Sequence, residues 1–421
     1  MRVTTAFNRL LALPGTTVRE VSFEPAQITV TVALRRRRLA CADCQYSTRA
    51  RYDTRTVDSR WRHLDLGRWR LLIRARLRRL VCPTHGVRTE GVPFARVESG
   101  FTRDVEDLVA WLATRMDKTA VRRLTRIAWQ TVGAICQRVA ADELDPGRLE
   151  ALFEIGIDEV SWRKGHRYLT LVTDHRAGRV VWGAEGKDTA TLDRFFADLG
   201  AQRSAQLTAV STDMGPAFLK SLAKPAHAPQ ATVCIDPFHV VKLATDALDQ
   251  VRRQVWNRLR AVDPDKAKTF KGARWVLLKR PERLSDTQAA TLRKLRRHGG
   301  AAWRAYALKE ALREVFAGDL TPSQTTQLLD RWCVKAARSR LDPFVTLAAT
   351  IRKHRHGILA AIRLGINNAR VEALNNKVRL ITRRAYGFHS AQAALALVML
   401  ACGPITLRLP HEQTHVHPHS A

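Results

Sequence analysis

Residues 153–184 read FEIGIDEVSWRKGHRYLTLVTDHRAGRVVWGA. Within them, Phe153 to Val160, Arg167 to Thr173 and Arg179 to Ala184 are three consecutive short runs rich in apolar and β-branched residues, the pattern of strands. Leu192 to Leu199 follows with helical character, Leu207 to Thr212 is strand-like, Pro216 to Leu222 helical and Thr232 to Ile235 strand-like. Three strands, a helix, then strand, helix and strand predict a mixed sheet with helices packed on it. Outward from this centre, residues 240 to about 365 read as almost wholly helical, with many Trp, Leu and Arg. Residues 1 to about 95 read as short strands and turns, with a turn at Pro14-Gly15 and a strand at Ile28 to Val32. Phe101 to about Leu144 reads as helical, and Pro146-Gly147 breaks it. The fold class is multidomain α/β, without an internal repeat.

The chain has 421 residues, enough for two or three domains, and 45% hydrophobic residues, enough for real cores. A formal charge of +32, spread along the chain and carried mainly by arginine, calls for a polyanionic partner. There is no long apolar run to enter a bilayer, so nucleic acid is favoured over a membrane. The Leu10-Leu-Ala-Leu13 run is too short for a signal sequence and Arg9 interrupts its start, so the expected location is the cytoplasm, at the nucleoid. Cys136, Cys234, Cys333 and Cys402 stand apart in apolar surroundings, as reduced core residues do.

Cys41-Ala-Asp-Cys44 and Cys82-Pro-Thr-His85 form two knuckles that together offer three thiolates and one imidazole, the closed donor set of one structural zinc; the alternatives are unrelated thiols in a small domain and a redox pair at Cys41 and Cys44, which no thioredoxin-like strand-helix context supports. The interval between them must hold folded structure. In Ile73-Arg-Ala-Arg-Leu-Arg78, strand alternation puts Ile73, Ala75 and Leu77 on one side and Arg74, Arg76 and Arg78 on the other. That arginine ridge is either a solvated face or a phosphate-binding surface. Residues 118–138 fit two short helices joined near Ile127 and Ala128, with Val121 and Leu124 packing on Val132 and Ile135. As a helix-turn-helix, the second helix presents Gln130, Thr131, Ala134 and Arg138 to a DNA groove; any small helical hairpin has a similar pattern.

Asp158 lies in a buried-looking strand and Asp213 at a strand's end. Asp158 and Glu159 point to opposite faces, so one of them serves a common site. Near the C-terminus, Asn367-Asn-Ala-Arg-Val-Glu372-Ala-Leu-Asn-Asn-Lys377 begins a basic helix whose Val371, Leu374, Val378 and Ile381 fall at helical spacing. Glu372 sits at the edge of that face, with Asn375, Asn376 and Arg379 three, four and seven positions on. An ordinary ion pair with Arg379 or Arg370 is the alternative to a metal-ligating role. Three acids from three separate elements repel one another, and divalent cations relieve that repulsion.

The run Arg370-Val-Glu372 to Lys377, continued by Arg383-Arg-Ala-Tyr-Gly-Phe388, resembles the ISL-three family of bacterial insertion-sequence transposases, and so does Cys234-Ile-Asp-Pro-Phe-His239-Val-Val-Lys242. The knuckles followed by a helix-turn-helix match that family's N-terminal layout, so the resemblance covers nearly the whole chain. It implies a ribonuclease-H-like core with an Asp-Asp-Glu triad at Asp158, Asp213 and Glu372, holding two magnesium (or manganese) ions. Asp236 and His239 are possible accessories near the metals or phosphate, or else hold the strand-to-helix turn, and Asn375, Asn376, Arg379, Arg383 and Arg384 are candidate DNA contacts. The implied activity is metal-dependent cleavage at the element's terminal inverted repeats, then strand transfer into double-stranded target DNA by a homodimer or larger assembly. The expected domains are a zinc module at 1–95, a helix-turn-helix at 100–145 and a first part of the core at 152–242. A helical insertion at 243–360, a second part of the core at 361–408 and a disordered His-rich tail at 409–421 follow. Trp256, Trp275 and Trp303 of the insertion are expected to pack in a core rather than meet DNA. The rival functions are a transposase-derived DNA-binding regulator without catalysis and a metal-dependent nuclease on branched nucleic acid.

Overall fold

The computed structural model describes residues 1–318, 320–366 and 369–412, and the side chains of all of these but 269 and 369–372. It divides into two compact units, Met1–Asp145 with Leu380–Ala421, and Pro146–Arg379.

The first unit opens on α1 (Val3–Leu11), a helix where only strands and turns were expected; its Phe7 enters the core. Nine strands follow: β1 (Thr16–Glu24), β2 (Gln27–Leu34), β3 (Leu39–Ala40), β4 (Ser47–Thr48), β5 (Asp53–Thr54), β6 (Ser59–Leu66), β7 (Trp69–Ala75), β8 (Arg78–Cys82) and β9 (Gly86–Thr89). The main sheet has the order β1-β2-β7-β6, with only the β2–β7 pair parallel. Alternation buries Ile28, Val30 and Val32 of β2 against Leu71 and Ile73 of β7. Two small sheets, β3-β4 and β5-β8-β9, carry the cysteine knuckles.

Three helices complete this part: α2 (Arg103–Arg115), α3 (Lys118–Thr125) and α4 (Trp129–Glu143). Asp117 caps α3 by accepting the amides of Thr119 and Ala120. Under α2 and α4 lies a buried charge network. Arg96, 4% exposed, meets Glu106, Asp107, Asp142 and Glu143, and Arg138 also pairs with the fully buried Glu106. Burial outweighs the Arg96 ion pair and pushes the Asp107 carboxyl up to about 6. Because this pKa is raised on folding, its contribution to stability is present below the ordinary aspartate range and is lost as pH rises through about 6. The melting temperature of the unit is therefore expected to fall between about pH 4 and pH 6, and Asp107→Asn to flatten that slope. A slope unchanged in the variant refutes the assignment.

The second unit begins with a single 3-10 turn at Pro146–Leu149. Its sheet contains β10 (Glu154–Arg163), β11 (Arg167–Asp174), β12 (Arg179–Glu185), β13 (Ala209–Thr212) and β14 (Thr232–Ile235) in the order β12-β11-β10-β13-β14. The first three are antiparallel; β13 runs parallel to β10, and β14 parallel to β13. The strands and intervening helices α5 (Thr189–Leu199), α6 (Ala201–Ser204) and α7 (Pro216–Leu222) fall close to the expected ranges. Ile155, Ile157, Val172 and Val210 meet Leu192, Phe195 and Leu199 of α5 in one core.

From the end of β14 the chain is helical: α8 (Pro237–Val262), α9 (Pro264–Lys271), α10 (Arg274–Leu278), α11 (Asp286–His298), α12 (Gly300–Val315), α13 (Pro322–Ala337), α14 (Asp342–Lys353) and α15 (Arg355–Arg363). Leu248, Leu312, Leu329, Phe344 and Ile351 share one core. α8 is continuous through 242, so no break separates the sheet from the helical part at the expected boundary. Trp303 leans on that core, whereas Trp275 is 59% exposed, contrary to expectation. It lies on the five-residue α10, where Val276 and Leu277 take the buried positions.

α15 packs on β14 through Gly357. A Cβ there would sit 2.9 Å from Ile235 Cγ1 and 3.0 Å from the Val233 carbonyl oxygen. Backbone cannot yield as a side-chain tip can, so Gly357→Ala is expected to destabilise this unit by about 1–3 kcal/mol in denaturant unfolding. A stability equal to or above that of the wild type would contradict the close packing.

The chain leaves this unit along α16 (Ala369–Arg384), and α17 (Ala391–Cys402) packs against α4 and α2. The segment 361–408, expected as one second part of the core, is thus divided between the two units. The reason is apolar area: α17 is buried along most of its length, and α2 and α4 offer it a matching surface. Trp129 and His389 meet edge to face at 5.0 Å in the same contact. Residues 410–412 form one 3-10 turn, and the remainder of the His-rich tail lies outside the described residues.

Candidate active site and metal centre

β10 and β13 run side by side, paired up to Gly156 and Ser211. Asp158 on β10 and Asp213, the residue directly after β13, each lie two positions beyond that pair on segments of the same direction, which places them at one level about 5 Å apart in backbone. Asp236 follows β14 directly, where Thr212 pairs with Ile235, so it ends the next strand at a similar level. Its buried carboxylate accepts the Phe238 amide to cap α8 and lies 3.7 Å from His239 Nε2. That is the turn-holding role; both residues nonetheless border the acids.

Burial raises the Asp158 carboxyl pKa first of all. The Glu159 amide, His239 and Arg379 oppose the rise, while Asp213 adds to it. Glu159 is likewise raised, by burial and by Asp213 and Asp158, against the pull of Lys187 and Lys242. Strand alternation separates Glu159 from Asp158, yet its charge acts in the same field. From sequence, Glu159 stands only as the opposite-face alternative to Asp158, and Lys187 was not singled out, because neither periodicity nor local spacing ties it to the acids. Asp213 accepts the Gly215 amide at 2.8 Å, and a Cβ on Gly215 would collide with that carboxylate.

Asn375 of α16, 5% exposed, donates its side-chain amide to the Asp158 carboxylate, so α16 runs beside β10. Asn376 and Arg379 are exposed one turn on, joined at 3.1 Å. Glu372 lies in the first turns of α16; its side chain falls outside the described residues, as does that of Arg370. Asp158 and Asp213 supply hard oxygen donors in mutual repulsion, which fits magnesium or manganese.

In the first unit, the donor atoms of Cys41, Cys44, Cys82 and His85 all lie within 4.8 Å of one another. Cys44 and Cys82 sulfurs are 3.6 Å apart, and His85 Nδ1 is 3.5 Å from Cys82 and 3.8 Å from Cys41. A tetrahedron with zinc–sulfur bonds of about 2.3 Å has sulfur–sulfur edges of about 3.8 Å, so the set fits zinc. Burial would raise the Cys82 thiol, but the His85 and Thr84 amides and the His85 ring draw it down to about 6.

The expected DNA-contact residues divide. Gln130 and Ala134 are exposed on α4, and Thr131 is half-buried. Arg138 instead turns inward to Glu106 and Ser99. Leu124, expected to pack on α4, is 63% exposed, and Val121 alone of that pair is buried. The arginine ridge alternates as expected and carries ion pairs: Arg74 and the exposed Arg76 share Asp58, and Arg78 forks onto the buried Glu90. Arg76 and Asp58 are 18 residues apart and Arg78 and Glu90 12, separations that pattern reading does not reveal. Arg383 is exposed, while Arg384 donates to the Thr114 carbonyl at 3.0 Å. No helix among the described residues is long and apolar enough to cross a membrane.

A family model described as a transposase, of the DDE type and ISL3 family, matches residues 155–397. The helix-turn-helix domain of transposase family ISL3 matches residues 90–140, the region of α2 to α4. The chain is 43% identical over 385 residues to the transposase for insertion sequence element IS1557 of Mycobacterium tuberculosis, covering 86% of each chain. It is 30% identical over 359 residues to the transposase for insertion sequence element IS1001 of Bordetella parapertussis, covering 84% of this chain and 86% of that one. With a sheet that aligns two aspartates, a helix that reaches one of them, and these matches across most of its length, the chain belongs to the ISL3 family of insertion-sequence transposases.

Proposed function

We propose that the sheet of Pro146–Arg379 is a ribonuclease-H-like catalytic core and that Asp158, Asp213 and Glu372 are its metal-ligating triad. The observation that carries the reading is the Asn375–Asp158 hydrogen bond, since it brings α16, on which Glu372 lies three positions earlier, to the acid of β10. The strand order, with β10 central, antiparallel to β11 on one side and parallel to β13 on the other, supports the same reading. Bound there, two magnesium or manganese ions supply charge stabilisation and an activated oxygen nucleophile for phosphoryl transfer. The protein's own part is to oppose, through His239 and Arg379, the burial that raises the Asp158 carboxyl pKa, and to keep α16 fixed to β10 through Asn375. Water then opens the strand at the element end, and the freed 3′-hydroxyl attacks a target phosphodiester, forming a new phosphorus–oxygen bond as the target strand's 3′-oxygen leaves.

The helix-turn-helix exposes Gln130 and Ala134 for the terminal repeats, with a structural zinc holding the module beside it. Backbone contact falls to the exposed Asn376, Arg379 and Arg383. Synapsis of two ends requires at least a dimer, working in the cytoplasm at the nucleoid. The test is a supercoiled plasmid carrying both ends, incubated with the protein and magnesium. Joined products are expected. Binding without cleavage would favour a regulator, and cleavage without end dependence a nuclease.

A further inference from the structure

Helices α12 and α13 enclose a groove of about 760 Å³ on the helical part of the second unit. Its floor is apolar: Trp303 and Ala307 fall one turn apart on α12, opposite Val334 of α13, which is 44% exposed. The indole lies against Tyr306, with ring centres 5.3 Å apart, and the Arg296 guanidinium stands 5.9 Å from its centre, the loosest of its neighbours and the one a base would displace. Its rim is cationic. Arg331, Lys335 and Arg338 follow at helical spacing along one face of α13, and none of the three has a carboxylate partner among the described residues. The nearby Asp330 is taken by both arms of Arg355, at 2.7 Å each, and so does not neutralise them. Arg304 adds a fourth cation, tied to the Ser339 carbonyl at 2.7 Å.

Unpartnered cations in a row demand a polyanion, and an aromatic floor between them demands a flat apolar face within the same ligand. A duplex hides its base faces in the stack; an unpaired strand offers both features at once. We propose that this groove binds unpaired nucleotides of a DNA strand, a base on Trp303 and its flanking phosphates on Arg331, Lys335 and Arg338. The assignment rests on the reading that the chain acts on DNA, where strand opening at the element ends supplies such a strand. An acidic peptide segment would satisfy the cations without needing the indole.

The test uses the full chain and two fluorescein-labelled probes, a thymidine 20-mer and a duplex of equal length, titrated by anisotropy. Trp303→Ala is expected to weaken single-strand binding about tenfold or more, with duplex binding unchanged. Ala307→Glu, a surface change compatible with the helix, places a negative charge on the floor and is expected to do the same. Single-strand affinity unchanged in both variants overturns the proposal while wild-type duplex binding leaves the transposase reading standing. Equal loss on both probes overturns it too, since the groove would then not distinguish unpaired strands. A wild-type chain that binds neither probe would overturn the parent reading as well.

Discussion

Asp158→Ala is expected to lower end-dependent cleavage and joining by about a thousandfold or more, while the protein stays folded and bound to its DNA. Burial and Asp213 raise the pKa of this carboxyl, so in the absence of cations its charge is a strain on the fold that alanine relieves. Its loss removes an oxygen ligand where two cations are proposed. A transition-state contribution of several kcal/mol, at ~4 kcal/mol, is about a thousandfold in rate. Alanine leaves the buried Asn375 amide without its acceptor, so Asp158→Asn is the matched control. It keeps an oxygen for Asn375 and is expected to be equally inactive. Nicking of a supercoiled plasmid, read beside a melting curve, checks both. Activity within tenfold of wild type in either variant would remove Asp158 from the chemistry.

Cys82→Ser is expected to abolish bound zinc and to unfold the region of β3 to β5, β8 and β9. The apolar cluster there consists of Leu39, Cys41, Leu80 and Cys82 with Cys44 against it, so most of its members are ligands themselves. Such a cluster is too small to stand by burial alone. Zinc binding in small modules is worth on the order of 10–16 kcal/mol, and here it would supply most of the local folding free energy. Metal analysis is expected to fall from one zinc per chain to none, and amide exchange at β8 to lose its protection. Full zinc content in the variant would refute the four-ligand centre. Sulfate-free chelation of the wild-type protein is expected to produce the same exchange pattern.

Much of this was legible beforehand. Strand runs such as Arg167 to Thr173 are short, apolar and β-branched, and the sheet contains them nearly as read. The two knuckles carried their own geometry, because ligand spacing within each is local. What stayed hidden depends on contacts distant in sequence. Arg138 has helical spacing suited to a groove, yet Glu106, buried and 32 residues away, takes it inward. The ridge of Arg74, Arg76 and Arg78 alternates correctly, but its pairing with Asp58 and Glu90 was not legible. Asn375 was read as a DNA contact from its basic surroundings; it points to Asp158, 217 residues away, which no local pattern encodes. Trp275 fails for the opposite reason: average burial of tryptophan says little about a short helix whose other apolar residues take the inside.

The central claim is that Glu372 completes a metal site with Asp158 and Asp213. The most direct measurement is strand transfer by Glu372→Cys in magnesium and in manganese. A thiolate is a poor ligand for magnesium and a better one for manganese. The expected result is no joining in magnesium and recovery of at least about tenfold in manganese, with Glu372→Ala inactive in both. Equal activity of Glu372→Cys and wild type in magnesium would contradict the account.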